Sequence, residues 1–310
     1  MPTILLTGGT GMIGSHLQKF LVSKGYNLII LIRDEAENKP PTKNISYAKW
    51  NVEKGEIDRD AIAQSDYIIH LAGANVAAKR WTDKRKKEIV ESRTKSGALL
   101  VKSLQQTPNK VKAVISASAI GWYGADTITS KQNGFKEDEP HASDFLGNTC
   151  KLWEESIQPV EQLNKRLAIL RFGIVLSEKG GALEEFKKPL KFGMAAILGD
   201  GKQIISWIHV YDLCRLLLFA VENENISGAY NAVAPQTVSN KKLTFTLAKQ
   251  MRGKFFIPAH VPAFILKTML GELSIEVLKS ATVSDAKIKK AGFSFLYPSI
   301  EAALENLSKK

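Results

Sequence analysis

Residues 7–14 read Thr7-Gly8-Gly9-Thr10-Gly11-Met12-Ile13-Gly14, directly after the apolar run Ile4-Leu5-Leu6. Glycine inside a strand or helix costs conformational entropy, so such a cluster marks backbone that must turn sharply or be approached closely. The spacing G-x-x-G-x-x-G gives three of these glycines distinct tasks. Gly8 lets the chain leave the strand in a tight turn, Gly11 keeps side chains away from an approaching pyrophosphate, and Gly14 lets the next helix pack closely on the sheet. Amides at the helix start, around Thr10, Met12 and Ile13, then face the anion with the helix dipole behind them. The loop follows an apolar strand, opens the amphipathic segment Ser15–Lys24 and precedes a second strand, which is the context that dinucleotide binding requires.

The end of that second strand, about 20 residues past the last glycine, decides ribose selectivity. The residues there are Ile32-Arg33-Asp34. An acidic side chain would accept bonds from a 2′-hydroxyl, whereas the planar donor fork of Arg33 suits a 2′-phosphate. NADP is therefore expected in preference to NAD, with Asp34 keeping NAD open if the register shifts by one residue.

Further along, short β-rich runs alternate with helical patterns. Strands are expected at Thr3–Thr7, Asn27–Ile32, Ser46–Lys49, Tyr67–Leu71, Ala113–Ser116 and Leu167–Arg171, and helices at Ser15–Lys24, Trp81–Gln105 and Thr149–Leu163. This alternation predicts an α/β fold, a Rossmann-like doubly wound parallel sheet covered on both faces. After Val175 the pattern changes to loops, the strand-like "ISWIHV", a helix over Tyr211–Glu222, the strand-like "AYNAVAP" and then mostly helix. The expected division is a nucleotide-binding domain over 1–176, supplemented by about 205–232, and a small, mostly helical C-terminal cap from 177–204 and 233–310.

Composition narrows the function classes. The net charge of +12 calls for anionic partners. The densest basic run, Lys79 to Lys87, has one aromatic, Trp81, and reads as a solvated helix start rather than a nucleic-acid motif. No apolar run approaches the ~20 residues of a membrane span, and a basic n-region with a long h-region is lacking. Cys150 and Cys214 form no C-x-x-C, and the five histidines are scattered without metal-binding spacing. A cytoplasmic protein with a small-molecule substrate, no metal, no membrane and no nucleic-acid partner is expected, as a monomer or homodimer.

"TGGTGMIG", "HLAG" (70–73), "SASAIGWYG" (116–124), "LRFGIVL" (170–176) and "SWIHVYDL" (206–213) together resemble the extended short-chain dehydrogenase/reductase superfamily. "RWTDKRKKEIVESR", "GAYNAVAPQTVSNKKLTFTLAKQM" and the C-terminal "GELSIEVLKSATVSDAKIKKAGFSFLYPSIEAAL" resemble its atypical subfamily of epimerase family, or nucleoside-diphosphate-sugar-epimerase-like, proteins. The resemblance implies NADP(H) held by the glycine loop, by Ile32 and Arg33, and by Leu71, Ala72 and Gly73, with Glu88, Arg93 and Leu176 as further cofactor residues; Glu88 and Arg93 read equally as surface residues of a charged helix. It also implies chemistry by a Ser, a Tyr and a Lys, the last two spaced Y-x-x-x-K. Tyrosinate then exchanges the substrate hydroxyl proton, the ammonium lowers the tyrosine pKa and the serine polarises the same oxygen. Ser118 matches the serine and Lys151 the lysine, but four residues before Lys151 stands Gly147.

Tyr123, in the same loop as Ser118, is either the substitute phenol or a ring packed structurally in a glycine-flanked turn. The expected catalytic set is thus Ser118, Tyr123 and Lys151. His70 and His209 read as structural, and Asp212 as the cap of the helix Leu213–Val221. The functional expectation is an NADP(H)-dependent oxidoreductase or epimerase-like enzyme acting on a small polar or nucleotide-linked carbonyl or hydroxyl compound. The alternative is a non-catalytic NADP(H)-binding regulator or docking protein, which Gly147 favours.

Overall fold

The computed structural model describes residues 1–33 and 42–308. The first half lays down β1 (Thr3–Thr7), α1 (Met12–Ser23), β2 (Asn27–Ile32), β3 (Ile45–Asn51), β4 (Glu56–Ile57), α2 (Arg59–Gln64), β5 (Tyr67–His70) and α3 (Asp83–Gln106). Next come β6 (Ala113–Ala119), α4 (Ile128–Asn133), α5 (Phe145–Ile157), β7 (Arg166–Phe172) and β8 (Ile174–Leu176). The remainder carries α6 (Gly181–Lys191), β9 (Met194–Leu198), β10 (Ile204–Ile205), β11 (Trp207–His209), α7 (Val210–Glu222), β12 (Gly228–Ala232), β13 (Val238–Ser239), α8 (Asn240–Arg252) and β14 (Ile257–Val261). It closes with α9 (Ala263–Leu270), α10 (Leu273–Leu278), α11 (Ala286–Lys290) and α12 (Ile300–Ser308).

Eight strands form one sheet in the order β12-β7-β6-β5-β1-β2-β3-β4, parallel except for the short β4. From β1 the chain builds outward through β2 and β3, then returns to place β5 on the other side of β1. That reversal makes the junction of β1 and β5 the topological switch point, outside whose carboxyl ends ligands bind in open α/β sheets. One apolar layer, including Leu6, Leu17, Ile30, Leu170, Leu213 and Leu217, sits between the sheet and helices α1 and α7. The opposite layer packs Leu5, Ile68, Leu100, Val114 and Ile157 beneath α2, α3 and α5. Burial on both faces is why these strands read as unbroken apolar runs.

A separate core gathers Leu176, Leu183, Leu190, Trp207, Leu243, Leu247, Ile300 and Leu304 from β8, β11, α6, α8 and α12. Helices dominate this part, and three two-stranded sheets tie it together: β10 with β13, β11 with β8, and β14 with β9. No helix among the described residues is long and apolar enough to cross a membrane.

Several local expectations shift. Helix α1 begins at Met12, inside the glycine loop, rather than at Ser15. The helix expected over 149–163 starts at Phe145 behind the Asp144 N-cap and gives way to a 3-10 turn at Gln158, next to Pro159. "ISWIHV" splits between β10 and β11. The cap of α7 is His209, whose ring accepts the amide of Tyr211 at 3.0 Å. Asp212 instead pairs with Arg215 at 2.7 Å and accepts the amides of Leu296 and Tyr297 at 3.0 and 2.8 Å, so it anchors the C-terminal segment.

Candidate functional site

At the switch point the glycine loop is held by main-chain crowding. Gly8 has φ +67, and a Cβ there would stand 2.8 Å from the carbonyl of Leu71 at the end of β5. A Cβ on Gly14 would meet Gly8 O at 2.3 Å and Gly9 O at 2.5 Å. Gly9, to which the spacing gave no task, faces inward: its Cβ would lie 2.7 Å from Ile30, and its carbonyl accepts from the Gln18 side chain at 2.8 Å. Gly11 differs from all three. Its Cβ would meet only Gly8 O, at 3.3 Å, and its φ of −72 is open to any residue.

Gly11 is also the N-cap of α1, with no side-chain cap bond and no acidic residue in the first turn. Uncapped amides at a helix start, beneath an open main-chain face, are the physical requirements of an anion cradle. Thr10 is exposed, Met12 and Ile13 are half-buried, and the Met12 sulfur would stand 2.8 Å from a Cβ at Gly181, the first residue of α6. Ile32 is buried at the end of β2, and Arg33 beyond it is exposed. Asp34 lies outside the described residues.

A hydrogen-bond chain fixes β5 beside this loop. Thr7 Oγ1 accepts the amides of Leu71 and Ala72, both at 3.1 Å, so its own proton goes to His70 Nδ1 at 2.8 Å. His70 Nε2 then carries the ring proton toward Ser96 Oγ, 3.3 Å away on α3. The buried ring is neutral, its pKa pushed down to about 4 by desolvation and then by Arg93. Arg93 lies under the turn that follows β5. It donates to Ala74 O at 3.0 Å, packs against Gly73 and stacks over Trp153, and burial pulls its pKa down to about 10. Glu88 is exposed and pairs with Arg85 at 2.6 Å, while Leu176 is fully buried at the end of β8.

The carboxyl ends of β6 and β7 form a different environment. Glu154 of α5 grips Arg171 of β7 at two points, 2.8 Å from Nε and 2.9 Å from Nη2, with both residues buried. Ser118 donates to Glu154 Oε1 at 2.6 Å. Tyr123, stacked on Phe135, lies 3.0 Å from Arg171 Nη1 and 2.7 Å from Asn231 Oδ1. Arg171 also stacks over the Trp122 ring at 3.7 Å. Ser118 and Tyr123 are therefore brought together, but through Arg171. Lys151 lies outside the cluster and pairs with Glu155, one turn along its own helix.

Glu154, Arg171 and Asn231 were not singled out in the sequence. The available signal was a lone arginine in the apolar strand "LAILRF" and a glutamate three residues after Lys151 on the same helix. Gly147 also has a steric explanation: a Cβ there would stand 2.2 Å from the carbonyl oxygen of Ala142. No tyrosine can occupy that position while the 142 segment crosses it. Cys150 and Cys214 are both buried, free thiols.

A parallel sheet with an open glycine loop at its switch point defines a Rossmann-type nucleotide-binding protein. The family model described as the NAD dependent epimerase/dehydratase family matches residues 4–156, and a domain of unknown function, DUF1731, matches 261–307. Epimerase family protein YfhF of Bacillus subtilis is 37% identical over 305 residues, covering 98% of this chain and 97% of its own. The chain belongs to this epimerase family.

Among solved structures, human epimerase family protein SDR39U1 (isoform 2), crystallised with NADPH, superposes with a TM-score of 0.85 at 26% identity and 99% coverage of both chains. A nucleoside-diphosphate sugar epimerase from Corynebacterium glutamicum reaches a TM-score of 0.76 at 28% identity, over 98% of this chain and 57% of that one.

Proposed function

We propose that this protein is an NADP(H)-dependent oxidoreductase or epimerase-like enzyme acting on a small polar or nucleotide-linked carbonyl or hydroxyl compound. The carrying observation is the open, uncapped main chain at Gly11, with Arg33 exposed at the end of the neighbouring strand. The donor set fits the cofactor. Amides of the glycine loop would hold the pyrophosphate and Arg33 the 2′-phosphate, while Leu71 to Gly73, Glu88, Arg93 and Leu176 would border the rest. The NADPH in the human relative supports this choice of cofactor. When bound, that group supplies a hydride.

Ser118 and Tyr123, joined through Arg171, flank the adjoining strand ends, with Lys151 on α5, and they define the substrate side of this reading. A second reading, a cofactor-binding regulator without turnover, is favoured by Gly147, where the Ala142 carbonyl occupies the place of the tyrosine.

Calorimetric titration of the wild type and Arg33→Ala with NADPH and NADH tests the cofactor assignment. Loss of Arg33 should weaken NADPH by about 1.5–3 kcal/mol, the worth of a hydrogen bond to a charged group, and leave NADH nearly unchanged. Equal losses for both nucleotides would contradict the 2′-phosphate role.

A further inference from the structure

We infer that the hydroxyls at the ends of β6 and β7 cannot give a proton to a substrate, and that the hydride acceptor is a conjugated carbonyl compound, an enone or quinone, protonated by water. The inference rests on the cofactor reading above and narrows its substrate.

The direction of each hydrogen bond follows from its partners. A carboxylate in a two-point grip with a guanidinium accepts and does not donate. Glu154 is held in that way by Arg171, so the single proton of Ser118 must point to Glu154 across 2.6 Å. Asn231 spends its amide N–H groups on the carbonyls of Phe135, at 3.2 Å, and Ser284, at 3.1 Å. Its Oδ1 therefore faces Tyr123 and takes the phenol proton at 2.7 Å. Arg171 Nη1 donates to the same phenol oxygen at 3.0 Å.

Both hydroxyls have spent their only proton inside a buried network: releasing that of Tyr123 would leave Asn231 Oδ1 unpaired, and releasing that of Ser118 would leave Glu154 Oε1 with Arg171 Nε alone. Desolvation pushes the Tyr123 phenol up to about 12, in keeping with a fixed O–H. Position 147 is closed by Ala142, and Lys151 is drawn to Glu155 on the half-exposed flank of α5.

This arrangement selects among acceptors. A saturated ketone that gains a hydride becomes a localised alkoxide and needs an acid as it forms, a contribution of about 10²–10⁴ in rate. An enone gains the hydride as a new C–H bond at its β-carbon, while its π pair moves to the carbonyl oxygen as a delocalised enolate. Water then protonates the enolate and leaves hydroxide. The acceptor is reduced by two electrons, drawn with the hydride from the reduced nicotinamide, which is oxidised.

The test uses the full chain in two stages. Calorimetry first establishes NADPH binding, and its failure would overturn the cofactor reading itself. NADPH oxidation is then followed with cyclohexenone, menadione and cyclohexanone. The expected result is turnover of the two conjugated acceptors at least about 100-fold faster than the saturated ketone. Comparable rates, or ketone reduction that disappears in Lys151→Met, would overturn the inference by revealing a protein donor. So would NADPH that binds but is consumed by none of the three.

A readout independent of turnover is proton NMR of deuterated protein. The Ser118 and Tyr123 hydroxyls should give slowly exchanging downfield resonances, lost singly in Ser118→Ala and Tyr123→Phe. Both should persist when NADPH and cyclohexanone are added. Rapid exchange of either proton in that mixture would also overturn it.

Discussion

Two neighbouring stretches along one sheet edge are built on opposite plans. At β1 and β5 the chain removes side chains, leaves the start of α1 without a cap and keeps Gly11 open on all but one side. At β6 and β7, only one strand away, the polar side chains of Ser118, Glu154, Arg171, Tyr123 and Asn231 satisfy one another. The first stretch leaves the start of α1 without a side-chain cap, and the second consumes its own donors. A region that binds must hold bonding capacity in reserve, whereas a buried polar cluster is stable only when complete.

The sharpest way to break this contrast is to open the second stretch. Glu154→Ala strands the Arg171 guanidinium in a buried site, so unfolding free energy in urea should fall by about 3–5 kcal/mol. A loss under about 1 kcal/mol would show that the cluster tolerates incompleteness, as exposed ion pairs do.

Acid should attack the first stretch instead. The folded pKa of His70, about 4, lies below the ordinary histidine value, so the unfolded chain binds more protons between the two. The stability held by neutral His70 is complete above about pH 6.5 and drains as pH falls toward 4, by up to about 3 kcal/mol. Melting temperatures recorded from neutral to mildly acid pH should fall in the wild type and fall less steeply in His70→Asn. Parallel slopes would remove His70 as the cause.

Gly147 sharpens the comparison at smaller cost. Gly147→Ala pushes a methyl into the Ala142 carbonyl, and the overpacking should destabilise by about 1–3 kcal/mol, read by the same urea titration. A neutral result would mean that the 142 segment yields, leaving room for a side chain where the resemblance places tyrosine.

The sheet was readable because its strands are short apolar runs between glycines and helices. β1 and β2 fall on their expected residues, and β5 ends one residue early. Tasks for Gly8 and Gly14 were also readable, since spacing along one turn dictates which backbone must meet which. What escaped depends on partners far apart in the chain. The Asp212 carboxylate looks like a local cap, yet it serves amides 84 and 85 residues away. The proton of Ser118 is claimed by a residue 36 positions later, which no spacing rule around "SAS" reveals. Helix α1 starts three residues before the expected Ser15 because the glycine loop runs straight into the helix, without the polar cap that usually marks a beginning.

The central claim, that main chain at Gly11 receives a pyrophosphate, has one direct test. Gly11→Val places a Cβ 3.3 Å from Gly8 O, the one atom beyond its chain neighbours that this Cβ would meet, in a backbone conformation that valine adopts freely. Thermal denaturation should therefore stay near the wild-type midpoint, while calorimetric affinity for NADPH drops at least about tenfold, or 1.4 kcal/mol. A folded Gly11→Val protein that binds NADPH as tightly as the wild type would contradict the account.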